Sequence, residues 1–173
     1  MDNALSYSLS DDDIRKLLGS GIQITNYTKL SEKKDINELL DNKGRGVIFY
    51  PQQNEQQGHW CCLIRNGREI EFFDPYGDPP DYQKDTIPDD RLERMNMDQP
   101  YLLQLMKNSR CKIMFNKVPL QELANDVSTC GRHIVCRLLY YKHPIRSYRE
   151  IIRKTGLSPD EFAVKMTYEK LGK

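Results

Sequence analysis

No apolar run in this chain approaches the ~20 residues needed to cross a bilayer as a helix, so no membrane span is expected. Net charge is also nearly absent. The 26 Lys and Arg against 25 Asp and Glu leave +1, which excludes a global polyanion-binding signature. The first residues, MDNALSYSLSDDD, are polar and acidic and do not read as a secretory signal. Internal repeats and low-complexity tracts are missing too. Paired cysteines are not evident: there are five, Cys61, Cys62, Cys111, Cys130 and Cys136, an odd number in a chain without an export signal. That predicts a reduced, intracellular set rather than a disulfide framework. Cys130 and His133 form half of a zinc site with Cys111 as a distant third ligand, but no second close pair completes it. No metal or other cofactor is therefore expected.

What is present suffices for one globular domain. A chain of 173 residues buries roughly 70% of the surface its unfolded form exposes, and so needs neither metal nor disulfide to fold. Ser10 caps a helix over 10–19, with acids in its first turn and Gly19 at its end. Ser31 caps a second predicted helix over 31–43. A buried strand over 46–51 stops at Pro51, and a hairpin follows: His59 to Ile64, a turn at Asn66-Gly67, and Glu69 to Phe73. Residues 78–98, rich in Pro and Asp, predict an exposed loop. A helix over 100–109 starts at Pro100 and a strand runs over 112–121. The C-terminal third is helical, over 130–142, 147–156 and 158–171, the last two each beginning at serine. The expected layout is a helical part over about 1–45, a sheet and helix over about 45–142, and a helical part over about 143–173. The fold class is α+β, with a mixed or antiparallel central sheet packed on the helix that begins at Cys130.

Three chemically useful residues stand in chain order. A two-residue turn at 66–67 pairs Arg65 with Arg68 and carries His59 opposite Asp74. A carboxylate beside an imidazole fixes its tautomer and stabilises the imidazolium. Cys130 begins a helix, where the partial positive charge of the first turn and an adjacent imidazolium lower a thiol's pKa. Gly131 lets a carbonyl approach the backbone closely, and the Cys130 amide, free at the helix start, can donate to an oxyanion. Cys136 falls on the apolar side of the same helix and reads as packing.

The set GHW (58–60), FFDPYG (72–77) and TCGRHIVCRLL (129–139) resembles the adenain and Ulp1-like cysteine proteases over roughly residues 45–142. The resemblance implies a Cys130–His59–Asp74 triad and that family's fold. It also implies an oxyanion-donating Gln121 and a Trp60 bordering the substrate channel. Gln121 lies nine residues before Cys130, farther than in the family, so Asn125 remains an alternative donor. The STCGRH form looks most like proteases of large DNA viruses and virophages. It implies an endopeptidase cutting near glycine in viral structural precursors, without a cofactor. Such an enzyme is expected as a monomer away from membranes, in the host cytoplasm or viral factory and in the virion. Proteolysis of ubiquitin-like modifiers, or a non-catalytic binding domain with a relic site, are the alternatives. The segment 137–173 holds nine Lys and Arg against four Asp and Glu, which leaves open an activating peptide or nucleic acid.

Overall fold

The computed structural model describes residues 2–54 and 57–172. Five strands form one mixed sheet in sequential order: β1 Gln23–Asn26, β2 Arg45–Asn54, β3 Gln57–Asn66, β4 Glu69–Phe73 and β5 Lys112–Phe115. β1 runs parallel to β2, β3 is antiparallel to both β2 and β4, and β5 is parallel to β4. Helices α1 Asp2–Leu5, α2 Asp11–Leu18, α3 Asp89–Arg94, α4 Tyr101–Asn108, α5 Cys130–Leu139, α6 Ile145–Lys154 and α7 Pro159–Leu171 complete the α+β fold.

The period-two alternation of a strand divides β3 between two cores. Trp60, Cys62 and Ile64 pack with Ile134, Val135 and Leu138 of α5 and with Phe162 of α7. Cys61 and Leu63 face the opposite core of Tyr27, Leu30, Leu102 and Met106. With both faces covered, the middle of β3 is buried from His59 to Ile64. The tie between α5 and the sheet is also ionic. Arg137, 1% exposed, donates from Nε and Nη2 to the Glu71 carboxylate of β4 at 2.8 and 3.1 Å.

Several boundaries differ from the sequence expectation. The hairpin turn is Gly67-Arg68, not Asn66-Gly67, because glycine takes the left-handed turn position with φ 58°. Asn66 therefore pairs with Glu69. The helix expected over 31–43 is two short 3-10 turns, Tyr27–Glu32 and Ile36–Leu39. Asp35 and Glu38 build a capping box that starts the second turn afresh. β2 does not stop at Pro51 but continues to Asn54 with an irregular register, the setting in which a strand tolerates proline. The strand expected over 112–121 ends at Phe115, and α5 ends at Leu139. α6 starts after Pro144 rather than at Ser147. The segment 78–98 is not simply an exposed loop: it carries a 3-10 turn and α3, and it buries Asp81, Gln83 and Lys84. The predicted helical N-terminal part also contains a strand, β1, that sequence reasoning missed.

Candidate functional site

The site is assembled where β4 ends. The ladder between β3 and β4 stops at Cys62 and Phe73. In that register Asp74 falls opposite Cys61, not opposite His59. The offset is an even number of residues, so His59 and Asp74 still share a face. They meet on the diagonal, with His59 Nε2 at 2.8 Å from Asp74 Oδ1. Asp74 is held on every side. The Tyr76 amide donates to Oδ1 at 2.8 Å and Gln83 Nε2 to Oδ2 at 2.7 Å. Asn116 clasps the Asp74 backbone, accepting from its N–H at 3.0 Å and donating to its carbonyl at 2.7 Å. The Cys61 sulfur lies within 4.8 Å of the carboxylate and the imidazole from the β3 side. The Tyr76 ring stacks on the imidazole at 4.7 Å between centroids. A carboxylate with these donors needs no further solvation, and it fixes both the plane and the tautomer of His59.

With Nε2 taken by Asp74, Nδ1 is the nitrogen left for the thiol of Cys130, which lies near enough to this ring for each to shift the other's charge. Burial works against charge on both groups, and the pair overcomes it. The Asp74 carboxylate and the sulfur push His59 up to about 10 despite desolvation. Desolvation would raise the Cys130 thiol. The hydrogen bond and charge of His59, with the Trp60 and Gly131 amides, hold it below its ordinary range instead. Both shifts favour a thiolate beside an imidazolium, a nucleophile next to a proton donor. Burial pushes Cys61 and Cys62 well above an ordinary thiol and Cys136 up to about 12. A depressed pKa means more thiolate at lower pH. Iodoacetamide is therefore expected to alkylate Cys130 first at pH 7, by peptide mapping, with a rate that rises through a midpoint below that of a free thiol. Equal labelling of Cys130 and the less buried Cys111 would contradict this electrostatic account.

The helix start that carries Cys130 has an unusual cap. Thr129 holds the N-cap position, yet its side chain makes no cap bond. Its hydroxyl donates instead to Asp160 of α7. His133, one turn on, approaches the same carboxylate oxygen with Nε2 at 2.9 Å. The incomplete Cys130–His133 pair is divided: Cys130 sits by His59, and His133 bonds Asp160. Cys111 packs against the other core, away from both.

Gly131 is packed closely by the chain itself. A Cβ there would stand 2.9 Å from Leu9 Cβ and 3.2 Å from Trp60 Cδ1. Its missing side chain admits the N-terminal segment, which Trp60 Nε1 secures by donating to the Leu9 carbonyl at 3.0 Å. The Ser128 amide donates to the Leu5 carbonyl at 2.7 Å. Leu9, Ile24, Phe49, Trp60, Ser128 and Cys130 line a cleft of about 850 Å³. Gln121 is buried beside the loop leading to Thr129. Its Nε2 donates to the Val127 carbonyl at a long 3.4 Å, and its Oε1 has no partner among the described residues. Asn125 lies exposed in the turn of that loop. Of the two candidate amide donors, Gln121 is the buried one.

Sequence reasoning missed Cys61, Tyr76, Gln83, Asn116, Thr129, His133 and Asp160 as parts of this site. Tyr76, Thr129 and His133 lie within the quoted motifs and were available as signals. Gln83, Asn116 and Asp160 reach the site only through tertiary folding.

No family model matches the chain. It is similar to the uncharacterized protein V9 of Sputnik virophage, with 33% identity over 165 residues that cover 92% of this chain and 94% of that protein.

Proposed function

This chain belongs to the same family as the virophage protein V9, and from that premise we propose that it is a cysteine endopeptidase of the adenain and Ulp1-like fold. The observation that carries the reading is the His59–Asp74 pair, bonded at 2.8 Å, with the thiol at the start of α5 close enough to feel the His59 charge. In this reading Cys130 Sγ attacks the scissile carbonyl, and the electron pair of the C=O bond moves to oxygen. The Cys130 amide and the Gln121 side chain receive that oxyanion, Gln121 by giving up its one long bond to Val127. The C–N bond then breaks as the His59 imidazolium gives its proton to the departing amine. Water attacks the resulting thioester while the neutral His59 takes its proton; the C–S bond breaks, the carboxyl product leaves, and the thiolate–imidazolium pair is restored. Turnover needs thiolate and imidazolium together. It should therefore fall as pH drops through the lowered thiol pKa and again as pH rises through about 10, where His59 loses its proton.

The cleft beside Cys130 is walled by Trp60 and Phe49, whose rings stand 4.6 Å apart between centroids. Glycine near the scissile bond, lacking a side chain to meet those rings, is the proposed preference. Viral structural precursors are the proposed substrate class. The test is to incubate the protein with a peptide library and map the cuts by mass spectrometry, before and after treatment with iodoacetamide. Cuts beside glycine that vanish when Cys130 is carboxamidomethylated are expected. Cuts that persist on the modified protein, or the lack of any cut, would overturn the reading.

A further inference from the structure

Both walls of the proposed oxyanion site hang from one carboxylate on the C-terminal helix. Asp160 Oδ1 accepts from the Thr129 hydroxyl and from His133 Nε2, and Oδ2 accepts from the Glu122 amide at 3.0 Å. Thr129 immediately precedes Cys130, and Glu122 immediately follows Gln121. Thr129 and His133 are fully buried and Asp160 is 8% exposed. The carboxylate itself is set rigidly. Ser158 and Glu161 form a reciprocal capping box around it, with Pro159 in the first turn. The helix start also favours its negative charge.

A buried His–Asp pair that simply pins α7 to α5 would need neither of two further features. One is the third bond, to the loop that carries Gln121. The other is the turning of Thr129 away from the helix end it would ordinarily cap, which forgoes a stabilising interaction. Both features make sense if the carboxylate sets a distance.

We propose that Asp160 is a positioning residue that, through Thr129, His133 and the Glu122 amide, fixes the spacing between the Cys130 amide and the Gln121 side chain. The proposal rests on the endopeptidase reading. It separates two reactions of the same sulfur. Displacement of iodide from iodoacetamide needs only the thiolate. Addition of Sγ to a peptide aldehyde forms an S–C bond, moves the C=O pair onto oxygen, and so needs the oxyanion donors.

Thr129→Val removes the hydroxyl at nearly constant volume, Thr129→Ser keeps it, and Asp160→Asn removes the charge. The aldehyde is built on a sequence that the wild-type protein cuts. Thr129→Val and Asp160→Asn are expected to bind it at least about tenfold more weakly and to lose a similar factor in kcat, with KM within about twofold. Cys130 alkylation should stay within about twofold of wild type, and Thr129→Ser should restore aldehyde binding. Unchanged aldehyde affinity in both variants would overturn the proposal. So would a matched loss of alkylation and aldehyde binding, which marks a merely structural role. A wild-type protein that neither cuts peptides nor binds aldehydes is a different result, and it would sink the endopeptidase reading itself.

Discussion

Cys130→Ala is expected to reduce peptide cleavage to the buffer background, a loss on the order of 10⁴-fold or more. No neighbouring group can replace the sulfur. Cys61 lies behind Asp74 with its thiol pushed well above the ordinary range, and Cys136 is buried with its sulfur 3.9 Å from the Ala163 carbonyl. The fold should survive, because alanine is a strong helix former and the change removes one small atom at the helix start. Thermal unfolding within a few degrees of wild type, together with lost cleavage, is the expected pair of measurements. Cys136→Ala is the control: it opens a small hole in the core and should lower stability by about 1 kcal/mol while cleavage persists. Comparable cleavage by wild type and Cys130→Ala would end the thioester mechanism, whatever the geometry of His59.

Arg137→Ala is expected to cause a large loss of stability, about 3–5 kcal/mol, because it strands the buried Glu71 carboxylate without a partner. The guanidinium also donates to the Tyr140 and His143 carbonyls at 2.9 Å each, just past the end of α5. Those acceptors would be left to find water. For a chain of this length each kcal/mol moves the unfolding midpoint by roughly 2–4 °C, so a drop of ten degrees or so is anticipated. The sign follows from the lone charge rather than from the pair's intrinsic worth. Replacing both partners, as Arg137→Met with Glu71→Leu, should therefore recover much of the loss. A single-variant shift under about 2 °C would show that the pair contributes little to holding α5 on the sheet. The two predictions probe different links. The first removes the reacting atom and keeps the scaffold, and the second keeps the reacting atom and loosens the helix that presents it.

Local chemistry was legible in the sequence. Ser10 with Gly19 bounded α2, and Ser158 with Pro159 opened α7, because capping and turn preferences are decided by a few consecutive residues. The hairpin was legible as well, and with it the conclusion that His59 and Asp74 share a face. The turn was misplaced by one residue, which shifted the register by two. A shift of two preserves the side on which every side chain lies, so the pairing came out diagonal rather than lost. The helix expected over 31–43 failed for a related reason. Ile36 and Leu39 are both buried, as an apolar helix face would be, but a short apolar period cannot distinguish one helix from two capped turns.

By itself the sequence determined which residue types could react: a thiol before a helix, an imidazole in a strand, and a carboxylate at a strand end. Tertiary structure alone decided what surrounds them. Gln83, Asn116 and Asp160 come from a loop, a strand end and the last helix to fix the carboxylate and the helix start. Leu9 closes on Gly131 from the other end of the chain. Apart from Gln83, nine positions from Asp74, those contacts join residues dozens of positions apart, and the free energy that selects them is the packing and hydrogen bonding of the whole core, which no local pattern encodes.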